Sequence, residues 1–177
     1  MQIMPDLYDT LAKCDISYER FDHKAVFTCE ESEGLDVQIP GAHTKQLLLR
    51  DKKGEHHLLA IVMHDKKVNM KELGKLLDMK HPSFASRENM KELLHVEPGS
   101  VTPFGLLFDT EHKVEVIIDE DAWKIGTLRF HPLVNTATLV IDTEGFSKFL
   151  EETGHTFKVM KIPQKKEDVA TIAPRQG

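Results

Sequence analysis

The chain has 177 residues, of which 40% are hydrophobic and 29% charged, with a formal net charge of −6. That balance fits one globular domain with a single sizeable core and excludes an intrinsically disordered chain. A net acidic chain is poorly suited to tight, sequence-blind binding of long nucleic acid, and no apolar run approaches the roughly 20 residues that cross a bilayer.

Residues 1–13 carry acids and no apolar core, so they do not read as a signal peptide, and the chain is read as soluble and cytoplasmic. The pattern predicts an opening helix over 5–14, with Leu7, Leu11 and Cys14 on one face and Pro5 near the first turn. A strand follows over 16–21. Thr28 with Glu30 and Glu31 behind it marks a helix start for 28–35. The two cysteines, Cys14 and Cys29, are too few for a disulfide framework and read as free thiols.

Apolar runs over 45–50 and 57–63 flank the turn chemistry of 51–55, which predicts a β-hairpin with mostly buried strands. The basic cluster Arg50-Asp51-Lys52-Lys53 at its tip reads, from charge alone, as a solvated turn. Asn69 caps a helix over 70–77 with Leu73, Leu76 and Leu77 inward. A short strand over 83–86 and a helix over 87–95 carrying Met90, Leu93 and Leu94 come next. Two glycines and two prolines between Pro98 and Gly105 predict a loop over 96–105.

Strands are predicted over 114–118, 125–130 and 138–141, then a helix over 143–152 that closes at Gly154, then a strand over 157–162. Residues 164–177 are polar with little pattern and read as a flexible tail to a single domain over 1–163. The fold class is α/β: a mixed, curled or barrel-like sheet of about six to seven strands with about four helices around it. Strands that do not alternate cleanly with helices argue against a doubly wound parallel sheet.

Several chemistries lack their motif. There is no dinucleotide or P-loop glycine pattern and no G-x-S-x-G elbow, and the ten histidines do not fall into H-E-x-x-H or paired Cys/His spacing. No metal or cofactor is expected. His56 and His57, adjacent at a strand start, point to opposite faces and read as a surface and a half-buried residue.

Three segments remain: Gly41-Ala42-His43-Thr44-Lys45, Gly99-Ser100-Val101-Thr102-Pro103, and the run from Arg129 to Thr138. Each is ordinary by itself. Lys45 reads as a strand-edge charge, Gly99 and Pro103 as a turn, His131 as a residue held extended by Pro132, and Asn135 and Thr136 as turn and cap residues.

Together they are specific. Thr44-Lys45-Gln46-Leu47-Leu48-Leu49-Arg50-Asp51, the G-x-x-x-P loop followed by Phe104-Gly105-Leu106, and Phe130-His131-Pro132 with Asn135-Thr136-Ala137-Thr138 closely resemble the YbaK-like bacterial editing domains. This family is related to the insertion domain of prolyl-tRNA synthetase, and its freestanding members are aminoacyl-tRNA deacylases. The resemblance runs from the opening helix to about Ile162. The hairpin tip and the segment from Phe130 to Thr138 make it more similar to alanyl-tRNA(Pro) deacylases than to the cysteinyl type.

The resemblance implies a trans-editing deacylase of mischarged Ala-tRNA(Pro). Its catalytic residues would be Lys45, Gly99, Ser100, Val101, Thr102 and Pro103. His131, Asn135, Thr136, Thr44 and Arg50 would bind substrate. The implied partners are the acceptor end of tRNA and, for delivery, prolyl-tRNA synthetase or an elongation factor. Deacylation of a tRNA bearing Cys, Ser or Thr, and a non-catalytic module that binds aminoacyl-tRNA or a synthetase, are the other readings. An aminoacyl ester is already reactive toward water, so positioning and oxyanion stabilisation suffice where no nucleophile–base pair exists.

Overall fold

A computed structural model describes residues 6–24 and 39–166. Helix α1 (Leu7–Lys13) leads to strand β1 (Tyr18–Asp22). The hairpin β2 (Thr44–Arg50) and β3 (His57–Met63) is followed by α2 (Met70–Leu77), β4 (Ser83–Phe84) and α3 (Arg87–Leu94). A 3-10 helix (Pro103–Phe108) precedes β5 (Val114–Asp119), α4 (Glu120–Ile125), β6 (Thr127–Phe130), β7 (Ala137–Asp142), α5 (Thr143–Thr153) and β8 (Phe157–Met160).

The five α-helices among the described residues start where a side chain takes up an orphan N–H. Asp6, Asn69, Ser86, Asp119 and Asp142 each accept from a backbone N–H two or three residues on. Gly154 ends α5 in the left-handed region, with φ of 83°.

The strands form two sheets. One is antiparallel, in the order β1-β7-β6; the other is mixed, in the order β4-β2-β3-β5-β8. The hairpin is antiparallel, whereas β5 runs parallel to β3 and β8 parallel to β5. One parallel bridge, Ala42 to Leu128, joins the sheets, with the Ala42 N–H donating to the Thr127 carbonyl at 2.9 Å.

The main core lies between the sheets. Leu48, Leu59, Ile61, Val116 and Ile118 of the mixed sheet face Leu128, Phe130, Leu139 and Ile141 of the antiparallel one. Phe104 sits edge-on to both Phe130 and Phe149, at 5.7 and 5.2 Å between ring centres. A second cluster covers the other face of the mixed sheet, where Leu49, Leu58, Ala60, Val62 and Ile117 pack under Val68, Leu73 and Ile162. Each large side chain so buried contributes about 1.5–3 kcal/mol against the entropy of ordering it.

Several expectations are corrected here. The single curled or barrel-like sheet of six to seven strands is, among the described residues, two bridged sheets with eight strands and no closed barrel, because the segment leading into β2 pairs with β6 at one bridge only, Ala42 to Leu128. Ile125 ends a helix rather than opening a strand: Asp119 caps α4 directly after β5, and Gly126 turns the chain into β6. The loop expected to run to Gly105 gives way at Pro103 to the 3-10 helix. Leu76, expected inward, is 59% exposed. Gln164 and Lys165, read as the start of a tail, are tied down: Gln164 bridges to Val68, and the Lys165 N–H donates to the Lys67 carbonyl. The helix expected over 28–35, and Cys29 within it, lie outside the described residues.

Candidate active site

The Ala42–Leu128 bridge organises the site. Both residues point into the main core. Side chains alternate along a strand, so residues an odd number of places further on point to the opposite face. Lys45 lies three residues beyond Ala42, and His131 three beyond Leu128. Lys45 therefore projects from the mixed sheet on the face away from the main core, about 10 Å along its segment from the bridge; His131 directly follows the last residue of β6, and the parallel pairing starts the two segments in the same direction.

His131 is half-buried. Its Nδ1 lies 3.2 Å from the Ala137 carbonyl, which can only accept, so Nδ1 carries the hydrogen. Burial pushes the ring below the ordinary histidine value, and the nearby His23 and Arg129 push it the same way, against the Ala137 hydrogen bond. The neutral ring leaves Nε2 as an acceptor. His23 stands 6.3 Å away edge-on, its own Nδ1 2.7 Å from the Lys24 carbonyl and its Nε2 2.8 Å from the Thr138 hydroxyl.

The G-x-x-x-P loop packs beside this ring. Gly99 turns the chain with φ of 85°, a conformation that penalises a Cβ. The Ser100 N–H closes that turn on the Glu97 carbonyl at 2.9 Å. Among the described residues no acceptor meets the N–H of Val101 or Thr102. The Thr102 hydroxyl donates to the His131 carbonyl at 2.8 Å, and Thr102 caps the 3-10 helix that Pro103 opens.

Lys45 is half-buried in β2, and its Nζ donates to the Lys66 carbonyl. Thr44 points to the other face and accepts from Gln46 Nε2 at 2.6 Å. On the Lys45 side, the rings of His43 and His64 stack at 3.9 Å. Buried Arg129 donates to the Ile39 carbonyl at 2.8 Å and holds the segment that enters β2. Asn135 and Thr136 form the turn between β6 and β7, where the Thr136 carbonyl accepts from the His23 N–H at 2.9 Å.

Arg50 does not join them. It lies five residues along β2 from Lys45, about 17 Å away, against Gly54 in the hairpin turn.

Sequence reading missed His23, His64 and the buried pair of Lys66 with Asp119; His43 and Arg129 stood within the segments it singled out but were given no role. One signal was available for the buried pair: an aspartate directly after the apolar run of 114–118 places a carboxylate at the end of a buried strand.

The family model for the aminoacyl-tRNA editing domain matches residues 23–149. The prolyl-tRNA editing protein ProX of Acetoanaerobium sticklandii is 34% identical over 155 residues, spanning 86% of this chain and 94% of that protein. The prolyl-tRNA synthetase associated domain-containing protein 1 of Mus musculus is 34% identical over 158 residues, spanning 87% and 93%. Solved structures share the fold at low identity. The hypothetical protein APE2540 has a TM-score of 0.68 at 15% identity, over 86% of this chain and 97% of that one. A candidate trans-editing enzyme for prolyl-tRNA synthetase has a TM-score of 0.66 at 18% identity, over 93% and 100%.

The chain belongs to the aminoacyl-tRNA editing domain family. It is a hydrolase of that class, an aminoacyl-tRNA deacylase, with tRNA as its substrate. No helix among the described residues is long and apolar enough to cross a membrane.

Proposed function

We propose that this protein works in trans, in the cytoplasm, on mischarged proline tRNA and hydrolyses the alanyl ester of Ala-tRNA(Pro). The observation that carries the chemistry is the backbone N–H of Val101, which meets no acceptor among the described residues and lies half-buried on a loop tied through Thr102 to His131. Such a donor suits the oxyanion that forms when water attacks the ester carbonyl, and contributes about 2.7–4 kcal/mol to the transition state.

Lys45 supplies a point charge suited to the terminal phosphate or the ester region. The neutral Nε2 of His131 accepts a hydrogen bond from a hydroxyl of the terminal ribose, and Asn135 and Thr136 shape the wall beside it. The attacking water gives up its proton as the carbon–oxygen bond to the ribose breaks, and the ribose oxygen takes one up. Gly99 and Pro103 set the course of the loop.

Proline tRNA is the substrate suggested by relatives that carry prolyl-tRNA editing in their names. Alanine is the amino acid that a small pocket admits while excluding proline by bulk; the synthetase itself gains only about 1–3 kcal/mol from a missing methylene. A net charge of −6 suits brief tRNA contact followed by release, with delivery by the synthetase or an elongation factor.

The test is single-turnover deacylation of proline tRNA charged separately with alanine, cysteine, serine and proline. Rapid loss of alanine with retention of proline is the expected result. Rapid loss of cysteine or serine in its place would change the substrate within the same chemistry, and no loss of any would overturn the catalytic reading.

A further inference from the structure

Beside the site lies a buried charge cluster that the reaction as described does not use. Lys66 is 5% exposed, and its Nζ lies 2.9 Å from Asp119 Oδ1 and 2.7 Å from Asp121 Oδ2. Asp119 is fully buried at the end of β5; its Oδ2 accepts from the Met63 N–H at 3.1 Å and its Oδ1 from the Asp121 N–H at 3.2 Å. Burial alone would lower the Lys66 value, but the hydrogen bonds from Asp121 and Asp119 override it and raise it, so the ammonium stays charged. The cluster therefore clamps three points: the end of β3 at Met63, the start of α4 at Asp121, and the first turn after the hairpin at Lys66.

Replacing such an ion pair by apolar groups is often neutral or stabilising, so the pair is not explained by stability alone. Its geometry offers another reason. The backbone carbonyl of Lys66 is the acceptor for Lys45 Nζ. An exposed lysine samples many rotamers, whereas one held on a fixed carbonyl has one donor committed and two left in defined directions.

We propose that Lys66, held by Asp119 and Asp121, is a positioning residue: its side chain is anchored so that its own carbonyl orients the Lys45 ammonium toward the substrate. The proposal rests on the role given to Lys45 above. The charged side chain of Lys66 touches no substrate; it acts through its main chain.

The test uses the full-length protein in five forms: wild type, Lys45→Ala, Lys66→Met, Lys66→Arg and Asp119→Asn. The first readout is the single-turnover rate and half-saturating concentration with Ala-tRNA(Pro). The second, independent of activity, is the 15N-edited NMR signal of Lys45 Nζ, assigned by its loss in Lys45→Ala.

Lys66→Met is expected to slow the saturated rate roughly 10–100-fold, the scale of a small misplacement, with half-saturation nearly unchanged. The Lys45 signal is expected to shift in the same variant, and Lys66→Arg to recover most of the rate. Should Lys66→Met fail to fold, Asp119→Asn, which keeps an acceptor for the Met63 N–H, is expected to show the same shift and a smaller slowing. A wild-type rate in a folded Lys66→Met or Asp119→Asn, or an unmoved Lys45 signal, would overturn the proposal. Full activity in Lys45→Ala would overturn the role of Lys45 instead, and the NMR signal would still report whether Lys66 holds it.

Discussion

The hydroxyl of Thr102 donates to the carbonyl oxygen of His131 across 2.8 Å, linking the G-x-x-x-P loop to the turn after β6. Thr102 is fully buried, so no water can replace the lost donor. Thr102→Val keeps the shape and leaves that carbonyl unpaired, at a cost of about 1–3 kcal/mol. A loop displaced by a fraction of an ångström to an ångström is expected to slow deacylation roughly 10–100-fold. Thermal melts with single-turnover rates check both; a folded variant with the wild-type rate would show that this bond does not hold the loop.

Lys45→Ala is expected to nearly abolish deacylation while the melting temperature moves by no more than about 2–4 °C, since the half-buried side chain gives up a single hydrogen bond to a carbonyl. Arg50→Ala, about 17 Å along the same strand, is expected to keep the wild-type rate. Parallel kinetics on the two variants separate a local role from a general effect of removing a cation; equal losses would contradict the placement of the site.

The pH dependence follows from His131. Burial holds its folded value below the ordinary 6.5. Above 6.5 the ring is neutral in folded and unfolded chains alike. As pH falls below 6.5 the unfolded chain takes up the proton first. The stability and the Nε2 acceptor that the neutral ring provides are therefore present above 6.5 and lost as pH falls through the lower folded value. The acid limb of the single-turnover rate is expected below 6.5 and absent from His131→Gln. A midpoint above 6.5, or an unchanged limb in the variant, would assign the titration to another group.

A second buried pair should report on stability alone. His155 Nε2 lies 2.8 Å from Asp109 Oδ2, both side chains being nearly fully buried, and Asp109 also accepts from the N–H groups of Lys113 and Val114. Burial by itself would raise the Asp109 carboxyl; the hydrogen bonds from His155, Lys113 and Val114 override it and hold it below its ordinary value. Its stabilisation is thus present above the usual carboxylate range of about 3.9 and lost as pH falls through the lower folded value. His155→Ala removes one of the three hydrogen bonds to Asp109 and is expected to cost about 1.5–3 kcal/mol in denaturant titrations. Deacylation per folded molecule should be unchanged; a selective loss of rate would give this pair a part in the reaction.

Much of the local structure was legible because short-range chemistry decides it. Asn69 caps α2 and Gly154 ends α5 as read, and the hairpin turns over the residues that carry turn chemistry. Leu76 was misread because helical spacing marks a stripe without saying how far a neighbouring element extends over it. Helix α4 was missed because six residues are too few to show a period, and its start rests on one aspartate that also ends a strand.

The sequence by itself carried the family resemblance, which singled out Lys45, the loop from Gly99 to Pro103, and His131; the segments that carry it are local runs of residues. Tertiary structure decided which of them meet. Pairing of Ala42 with Leu128 starts the segments that carry Lys45 and His131 from one bridge, the turn at Gly99 consumes the Ser100 N–H, and β2 carries Arg50 away from Lys45. It also decided that Lys66 and Asp119, 53 residues apart, share a buried ion pair. Long-range strand pairing sets such contacts, and each is favourable only once the rest of the core has excluded water around it.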